Sequence, residues 1–545
     1  MTKKTVKKSL LVGALTSSFG VFVSKALGLL YFSPLSALAG ESNMTFYSIT
    51  YTYYDLLLKI SSAGIPFAIA ALVARYTAKD DYKMVLLVKK LGTSIALALS
   101  FVVAIVFFLI SPALAANSMG GSYASGEDVA NLLVLFRILL LAVILVPYLS
   151  ALRGYYQGLK RLDLYASSQA LEQFVRVFCI LAFGYLAVRI FKFNSIFAIF
   201  VAILAAGIAA LMTIIFLKFM ARNDDAYVLT MAKKQEEVQV DIKELIKEIF
   251  FLGIPYLTIS FLGSLAPLIN TTFYLPLATS LGVDYEIAKL SLGILQANCA
   301  KLAAIPMVLT LGFSSGLVPY LVESLEKKNY DLLSKQMTQV IEALFYILIP
   351  VIFIFTFFAK DIYFIMYGNR NLELGASLFM WNNLMVFTDT IAPILSSMMI
   401  TLKMRKQTII TLIVGFVVKC LSFYPFVMMF DAYGLVLSTA LSSAVVIVIY
   451  LYVLDTLYNI RFMRLIKKAG QMMIASTVMI VPPLLIHQLT GFAYTSRILD
   501  IIIMSLLGLM MVIIYYLATV FFKLPQKIFG IKELSVKSLL RRFRS

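Results

Sequence analysis

The chain has 545 residues, of which 61% are hydrophobic and only 14% charged; soluble domains carry roughly 25% charge, so a water-soluble globular protein is excluded. A membrane-spanning helix takes about 20 apolar residues, which leaves room for a dozen or more spans and for no sizeable soluble domain. The net charge of +19 would suggest nucleic acid in a soluble chain, but in a membrane protein its placement loop by loop matters instead, and no nucleic-acid partner is expected.

Apolar windows predict spans near 9–32, 46–77, 90–113, 129–151, 165–188 and 195–217. A second six follows near 248–275, 288–322, 338–358, 374–402, 407–430 and 433–454, with a last pair near 469–487 and 498–522. The fold class expected is therefore an all-α polytopic membrane protein of about fourteen transmembrane helices. Its parts are an N-lobe (1–220), a cytoplasmic amphipathic linker (221–247), a C-lobe (248–456), a helix pair (457–522) and a basic cytoplasmic tail (523–545). The N-terminal lysines Lys3, Lys4, Lys7 and Lys8, with Ala37-Leu38-Ala39 further on, imitate a secretory signal. The apolar run from Ser9 to Phe32 is too long for a signal core and carries Lys25, so a retained first span is expected.

Assigning each Lys and Arg to a side, with the N-terminus inside, puts the great majority of the 47 at cytoplasmic ends, for example Arg75, Lys79, Lys83, Lys89 and Lys90, and Arg461, Arg464, Lys467 and Lys468. The positive-inside rule then places both termini in the cytoplasm. The linker, with Lys233, Lys234, Glu236, Glu237, Lys243 and Glu244, and the tail ending Arg541-Arg542-Phe543-Arg544, read as helices lying on anionic membrane lipids. An internal repeat shows in Pro147-Tyr148-Leu149-Ser150 and Pro393-Ile394-Leu395-Ser396, each closing the fourth helix of its set. Two six-helix lobes related by an axis along the membrane normal follow, an arrangement typical of alternating-access transporters.

Charges inside spans point to function, because a central lysine costs about 2.5–3.5 kcal/mol to insert and usually faces a protein cavity. Lys25, Lys59 and Lys301 lie too deep for easy snorkelling, whereas Arg137, Lys289 and Lys419 leave both readings open. Asp55 stands four residues before Lys59 and can pair with it along one helix face. Asp389, Glu172 and the nearby Arg176 are the other buried charges of note. Gly64 and Pro66 follow Lys59, and Pro306 follows Lys301, so both cations sit beside an expected bend. Cys179, Cys299 and Cys420 lack any metal or disulfide spacing, and the single His487, at the end of an apolar helix, reads as an interfacial residue. The outer acids Glu41, Glu127, Asp128, Asp284 and Glu286 read as scattered, which disfavours a membrane-embedded glycan polymerase.

Four stretches resemble the MurJ and SpoVB branch of the multidrug, oligosaccharidyl-lipid and polysaccharide (MOP) exporter superfamily. They are Ser24-Lys25-Ala26-Leu27-Gly28, Leu57-Leu58-Lys59 before Gly64, Lys301-Leu302-Ala303-Ala304-Ile305-Pro306, and Arg153-Gly154-Tyr155-Tyr156-Gln157-Gly158 followed by Ser168-Gln169 and Glu172-Gln173-Phe174-Val175-Arg176. The resemblance implies a V-shaped arrangement of two lobes and a flippase for lipid II in the bacterial cell membrane. It also implies a cationic cavity in which Lys25, Lys59 and Lys301 receive the pyrophosphate. Beside these, the buried charges Asp55, Asp389, Glu172 and Arg176 are read as accessory candidates and Gly28, Gly64, Pro66 and Pro306 as hinges. This chain has lysine at all three positions where the family often has arginine, and Tyr31-Phe32 where an Arg-Asp pair can stand. Lysine keeps the charge without the bidentate fork. No cofactor or metal is expected. The chain lacks G-x-x-x-x-G-K-[ST], so a coupling ion or the membrane potential is the expected energy source. Rival readings are a flippase for another polyprenyl-linked polysaccharide unit and a drug or cation antiporter; the sequence names no protein partner.

Overall fold

In the computed structural model the described residues are 28, 31–62, 64–235, 241–307, 321, 324–460, 462–490 and 496–529. Every regular element among them is helical, as lipid demands of a chain whose backbone polar groups must pair within one segment. Thirteen of the helices are long and apolar enough to cross a membrane. The expected span 9–32 falls almost wholly outside the described residues, and the thirteen agree with the other expected spans. The protein is a multi-pass membrane protein.

In chain order the helices are α1 (Phe32–Ala39), α2 (Met44–Ser62), α3 (Ile65–Ala78), α4 (Tyr82–Ser118), α5 (Gly126–Gly158), α6 (Leu162–Tyr185), α7 (Phe197–Met220), α8 (Arg222–Lys233) and α9 (Ile242–Ser280). There follow α10 (Tyr285–Met307), α11 (Tyr330–Phe357), α12 (Ala359–Tyr367), α13 (Leu372–Thr401), α14 (Arg405–Phe430), α15 (Ala432–Tyr458), α16 (Phe462–Thr490), α17 (Arg497–Phe521) and α18 (Leu524–Phe529). Polar caps fix several starts: Asp81, Ser125, Asp284 and Asn329 each accept a hydrogen bond from the backbone N–H three residues on, satisfying donors that a helix end leaves open.

Packing divides the chain into two compact units, Met1–Lys301 and Leu302–Ser545. This packing boundary differs from the lobe boundary expected at 221–247, because α9 lies along α2, α3 and α4 and α10 packs on α2. The second unit is built around α11, α13 and α15, where Leu333, Met337, Ile341, Leu344, Leu395, Met399 and Tyr450 share one apolar core. The C-terminal pair α16 and α17 closes a second core with Phe358, Ala475, Met479 and Met511.

Four sharp helix–helix corners repeat one geometry. Asp80, Lys160, Lys328 and Lys403 take a left-handed backbone, with φ of 54°, 62°, 52° and 64°. The next residue, Asp81, Arg161, Asn329 or Met404, donates its N–H to a carbonyl five residues back, on Tyr76, Tyr156, Ser324 or Met399, at 2.9–3.0 Å. The following residue opens the next helix. Such a left-handed residue with its long return bond satisfies the last carbonyls of a helix and stops it. The corners follow α3 and α5 in the first unit, and in the second they precede α11 and follow α13, so they repeat in pairs. They carry Lys79, Lys83, Lys160, Arg161, Lys327, Lys403 and Arg405, and the end of each unit that bears them is its basic face.

The linker helix α8 is docked rather than free. Asp224 pairs with Arg161, Asp225 pairs with Lys89 at 2.8 Å and accepts from the Tyr156 hydroxyl at 3.2 Å. Gln235 accepts from the Lys83 N–H at 3.0 Å, while Val228 and Ala232 are buried. The acids that begin this segment therefore answer the basic corners, a long-range match that its own composition does not reveal. Lys233 and Lys234 remain exposed. Glu236, Glu237 and residues 530–545 of the tail lie outside the described residues.

Candidate functional site

The first unit holds a cavity of about 320 Å³ lined by residues of α2, α3, α5, α6 and α9. Its position follows from two close backbone approaches. The span that starts at α2 breaks at Gly64, whose φ is +69°, and α3 resumes with Pro66 in its first turn. A side chain at Gly64 would run into the Gly253 carbonyl, and one at Gly154 into the Pro66 carbonyl. Gly158, one turn further along α5, lies as close to Val73 and Ala70. The glycines of the Arg153–Gly158 stretch thus let α5 lie directly against α3.

Across this seam Lys59 and Arg153 line the cavity, with the polar groups of Ser62, Ser150, Gln157, Tyr165, Gln169 and Ser260. Among the described residues no carboxylate belongs to its lining. Lys59 Nζ donates to Asp55 Oδ2 at 2.5 Å and to Ser264 Oγ at 2.6 Å. Its side chain is one-third exposed, so the pair is open to exchange with an arriving anion. The Asp55–Lys59 spacing read from the sequence is this contact.

Arg153 was part of a recognised stretch but carried no role in the sequence reading. Its Nε donates to Ser168 Oγ at 2.9 Å and its Nη1 to Glu172 Oε2 at 2.8 Å. Glu172 Oε1 accepts from Arg176 Nη2 at 2.6 Å. All three side chains are under 15% exposed, and two guanidinium groups around one carboxylate leave a surplus positive charge. Arg153 Nη2 is buried and makes no hydrogen bond. Glu172 and Arg176 thus form a buried ion-pair cluster behind Arg153 and do not line the cavity.

The other expected site residues fall elsewhere. Lys25 lies outside the described residues. Gly28 is helical, and a side chain there would meet Gln173 at 3.4 Å. Lys301 does not line the cavity: its Nζ sits over the rings of Phe32, Tyr31 and Tyr51 at 5.2, 5.7 and 5.7 Å, an aromatic setting that holds a cation without a carboxylate. Pro306 lies in α10 past a π-helical turn at Ile294–Cys299. Asp389 belongs to the second unit, where its Oδ1 accepts from Ser443 at 3.4 Å.

The three cations left open also find settings. Lys289 Nζ binds Asp128 Oδ2 at 2.6 Å, and the Tyr285 hydroxyl donates to the same oxygen at 2.7 Å. Lys419 is fully buried, donating to Ser438 and Thr439 at 2.6 and 2.8 Å. Arg137 stacks over Phe108 at 3.6 Å. None needs to snorkel. Asp128 is the partner of Lys289, and His487 Nε2 lies 2.7 Å from Asp361 Oδ1. Both pairings join residues more than a hundred positions apart, which no local pattern predicts.

Chemically the cavity presents two cations and a neutral set of hydroxyl and carboxamide groups, which suits an anion that carries hydroxyls. The model of the polysaccharide biosynthesis protein family matches residues 10–325. The chain is 25% identical to the lipid II flippase MurJ of Bacillus subtilis (strain 168) over 490 residues, 89% of this chain and 90% of that one. It is 24% identical to stage V sporulation protein B of the same organism over 382 residues, 68% and 69% of the two chains. Among solved structures it resembles lipid II flippase MurJ in an inward closed conformation (TM-score 0.62, 16% identity, 93% of this chain and 98% of that one). It also resembles an inward-facing multidrug resistance transporter of the MATE family (TM-score 0.61, 15% identity, 83% and 96%). The chain belongs to the polysaccharide biosynthesis protein family and is a membrane protein of the MurJ and SpoVB type.

Proposed function

We propose that this protein is a flippase for a polyprenyl-pyrophosphate-linked glycan, first among them the peptidoglycan precursor lipid II, in the bacterial cell membrane. The observation that carries the reading is the cavity lined, among the described residues, by Lys59 and Arg153 and by no carboxylate. Arg153 lies seven residues before Lys160, roughly 10 Å along α5 from the basic corner. A cationic pocket one or two turns inside the basic face suits loading of an anionic headgroup from that side. With the positive-inside orientation, both termini and the basic face are cytoplasmic.

Transport then follows alternating access: the headgroup loads on Lys59 and Arg153, the chain bends at Gly64 and Pro66 and near Gly28 and Pro306, and the headgroup leaves on the far side. Lys25 and Lys301 add positive charge along the way. Energy comes from a coupling ion or from the membrane potential, worth about 2.3 kcal/mol per charge per 100 mV and directed outward for an anion. Exposed Lys233 and Lys234 and the basic tail attract anionic lipids. The likeness to stage V sporulation protein B and the family description favour, as a second reading, another polyprenyl-linked polysaccharide unit.

The test is the appearance of lipid II in the outer leaflet of cells in which this chain is the sole flippase. Export that falls at least tenfold in Lys59→Ala, with unchanged membrane levels, is the expected result. Full expression with no lipid II outside, while another lipid-linked glycan is exported, would move the assignment to the second reading.

A further inference from the structure

Resting on that proposed function, we propose that the cavity holds only the diphosphate and the first sugar of the lipid-linked glycan, and that Arg153 donates the second phosphate contact. The rest of the headgroup stays outside and is not read here.

The size of the cavity sets the first limit. At about 320 Å³ it stands at the lower end of the roughly 300–1,000 Å³ range of small-molecule sites. A water takes about 30 Å³ of liquid, so the volume admits on the order of ten to twenty non-hydrogen atoms. A diphosphate and one hexose together reach that number. A disaccharide carrying a peptide exceeds it several times over.

The lining sorts in the same way. Lys59 and Arg153 are the charged members, and the carboxamides of Gln157 and Gln169 and the hydroxyls of Ser62, Ser150, Tyr165 and Ser260 are the donors and acceptors that a sugar ring uses. Gln169 donates to the Tyr165 hydroxyl at 2.9 Å, leaving its carbonyl oxygen to accept from a sugar hydroxyl. The two cations differ in readiness. Lys59 must leave Asp55 or share its ammonium, whereas Arg153 is held by Ser168 and Glu172 through Nε and Nη1, with Nη2 buried and unbonded. An arginine fixed on two nitrogens is oriented before the ligand arrives, which lysine at the same place could not reproduce.

The experiment uses the full chain in detergent micelles and three soluble short-prenyl probes: the bare prenyl diphosphate, the same diphosphate with one N-acetylhexosamine, and the disaccharide-pentapeptide form. The monosaccharide probe is expected to bind within threefold of the full headgroup and at least tenfold tighter than the bare diphosphate. Arg153→Lys should weaken all three about tenfold. Gln157→Ala, which disturbs no charge pair, should bring the monosaccharide probe down to the affinity of the bare diphosphate and guards against misfolding of the arginine variant. A full headgroup that binds more than tenfold tighter than the monosaccharide form would overturn this inference and leave the flippase reading standing. Arg153→Lys binding as the parent does would overturn the role given to Arg153. Failure of every diphosphate to bind the parent would overturn the proposed function itself.

Discussion

Replacing Asp128 by Asn tests whether the helices at the end of the first unit opposite its corners are held by one buried ion pair. Lys289 and Asp128 are 6% and 13% exposed, and the same carboxylate accepts from Tyr285. Removing one partner of a buried pair costs about 3–5 kcal/mol, because the remaining charge is left uncompensated. Two features place the value at the lower end. Glu286 stands 3.8 Å from Lys289 but is two-thirds exposed, and the Phe46 ring lies 5.1 Å from the ammonium. The expected loss is about 3 kcal/mol, or roughly a hundredfold in the unfolding equilibrium. Reversible unfolding in mixed micelles, followed by circular dichroism, measures it. The double variant Asp128→Leu with Lys289→Met removes both charges and should return to within about 1 kcal/mol of the parent, since apolar replacement of a buried pair is often neutral. A single variant within 1 kcal/mol of the parent, or a double variant no better than the single, would refute the reasoning.

Two further substitutions test the geometry. Gly154→Ala forces a methyl group onto the Pro66 carbonyl and should destabilise by about 1–3 kcal/mol, with export reduced; Gly263→Ala, in a helix with nothing within 4 Å, should be neutral or gain up to about 1 kcal/mol, and equal melting shifts for the two would refute the seam. Lys403→Gly relieves a left-handed backbone and should stabilise by up to about 1 kcal/mol, read as a raised melting temperature; its exposed contact with Glu326 at 3.4 Å gives up little.

The fold was legible because lipid imposes one local rule, a run of about 20 apolar residues per helix, and that rule needs no knowledge of tertiary contacts. Lys59 and Asp55 were legible for a similar reason, since four residues along a helix is a contact in any fold. Arg153 was not. Its sequence neighbours marked it as part of a family stretch, but its role depends on Ser168 and Glu172 fixing two of its nitrogens and on Gly154 admitting Pro66. The partners of Asp128 and His487, namely Lys289 and Asp361, lie on other helices and are hidden from local patterns in the same way. The composition of the linker suits a helix on a lipid surface and does not reveal that Asp224 and Asp225 find Arg161 and Lys89. Charge inside a membrane protein is settled by pairing across the fold, and pairing is the part that a single chain of letters hides.

The four corners also bear on how the protein meets a protease. Trypsin cuts after lysine or arginine only where several residues can be drawn out straight, and exposed loop tips are its usual targets. Here Lys160, Lys328 and Lys403 occupy the single left-handed position of a turn locked by a return hydrogen bond, with a helix beginning two residues later. Cleavage would require unwinding both flanking helix ends. The side-chain amines of Lys160, Lys328 and Lys403 nevertheless stay exposed, so an acylating reagent should label them while native protein exposed to trypsin keeps its peptide bonds there intact.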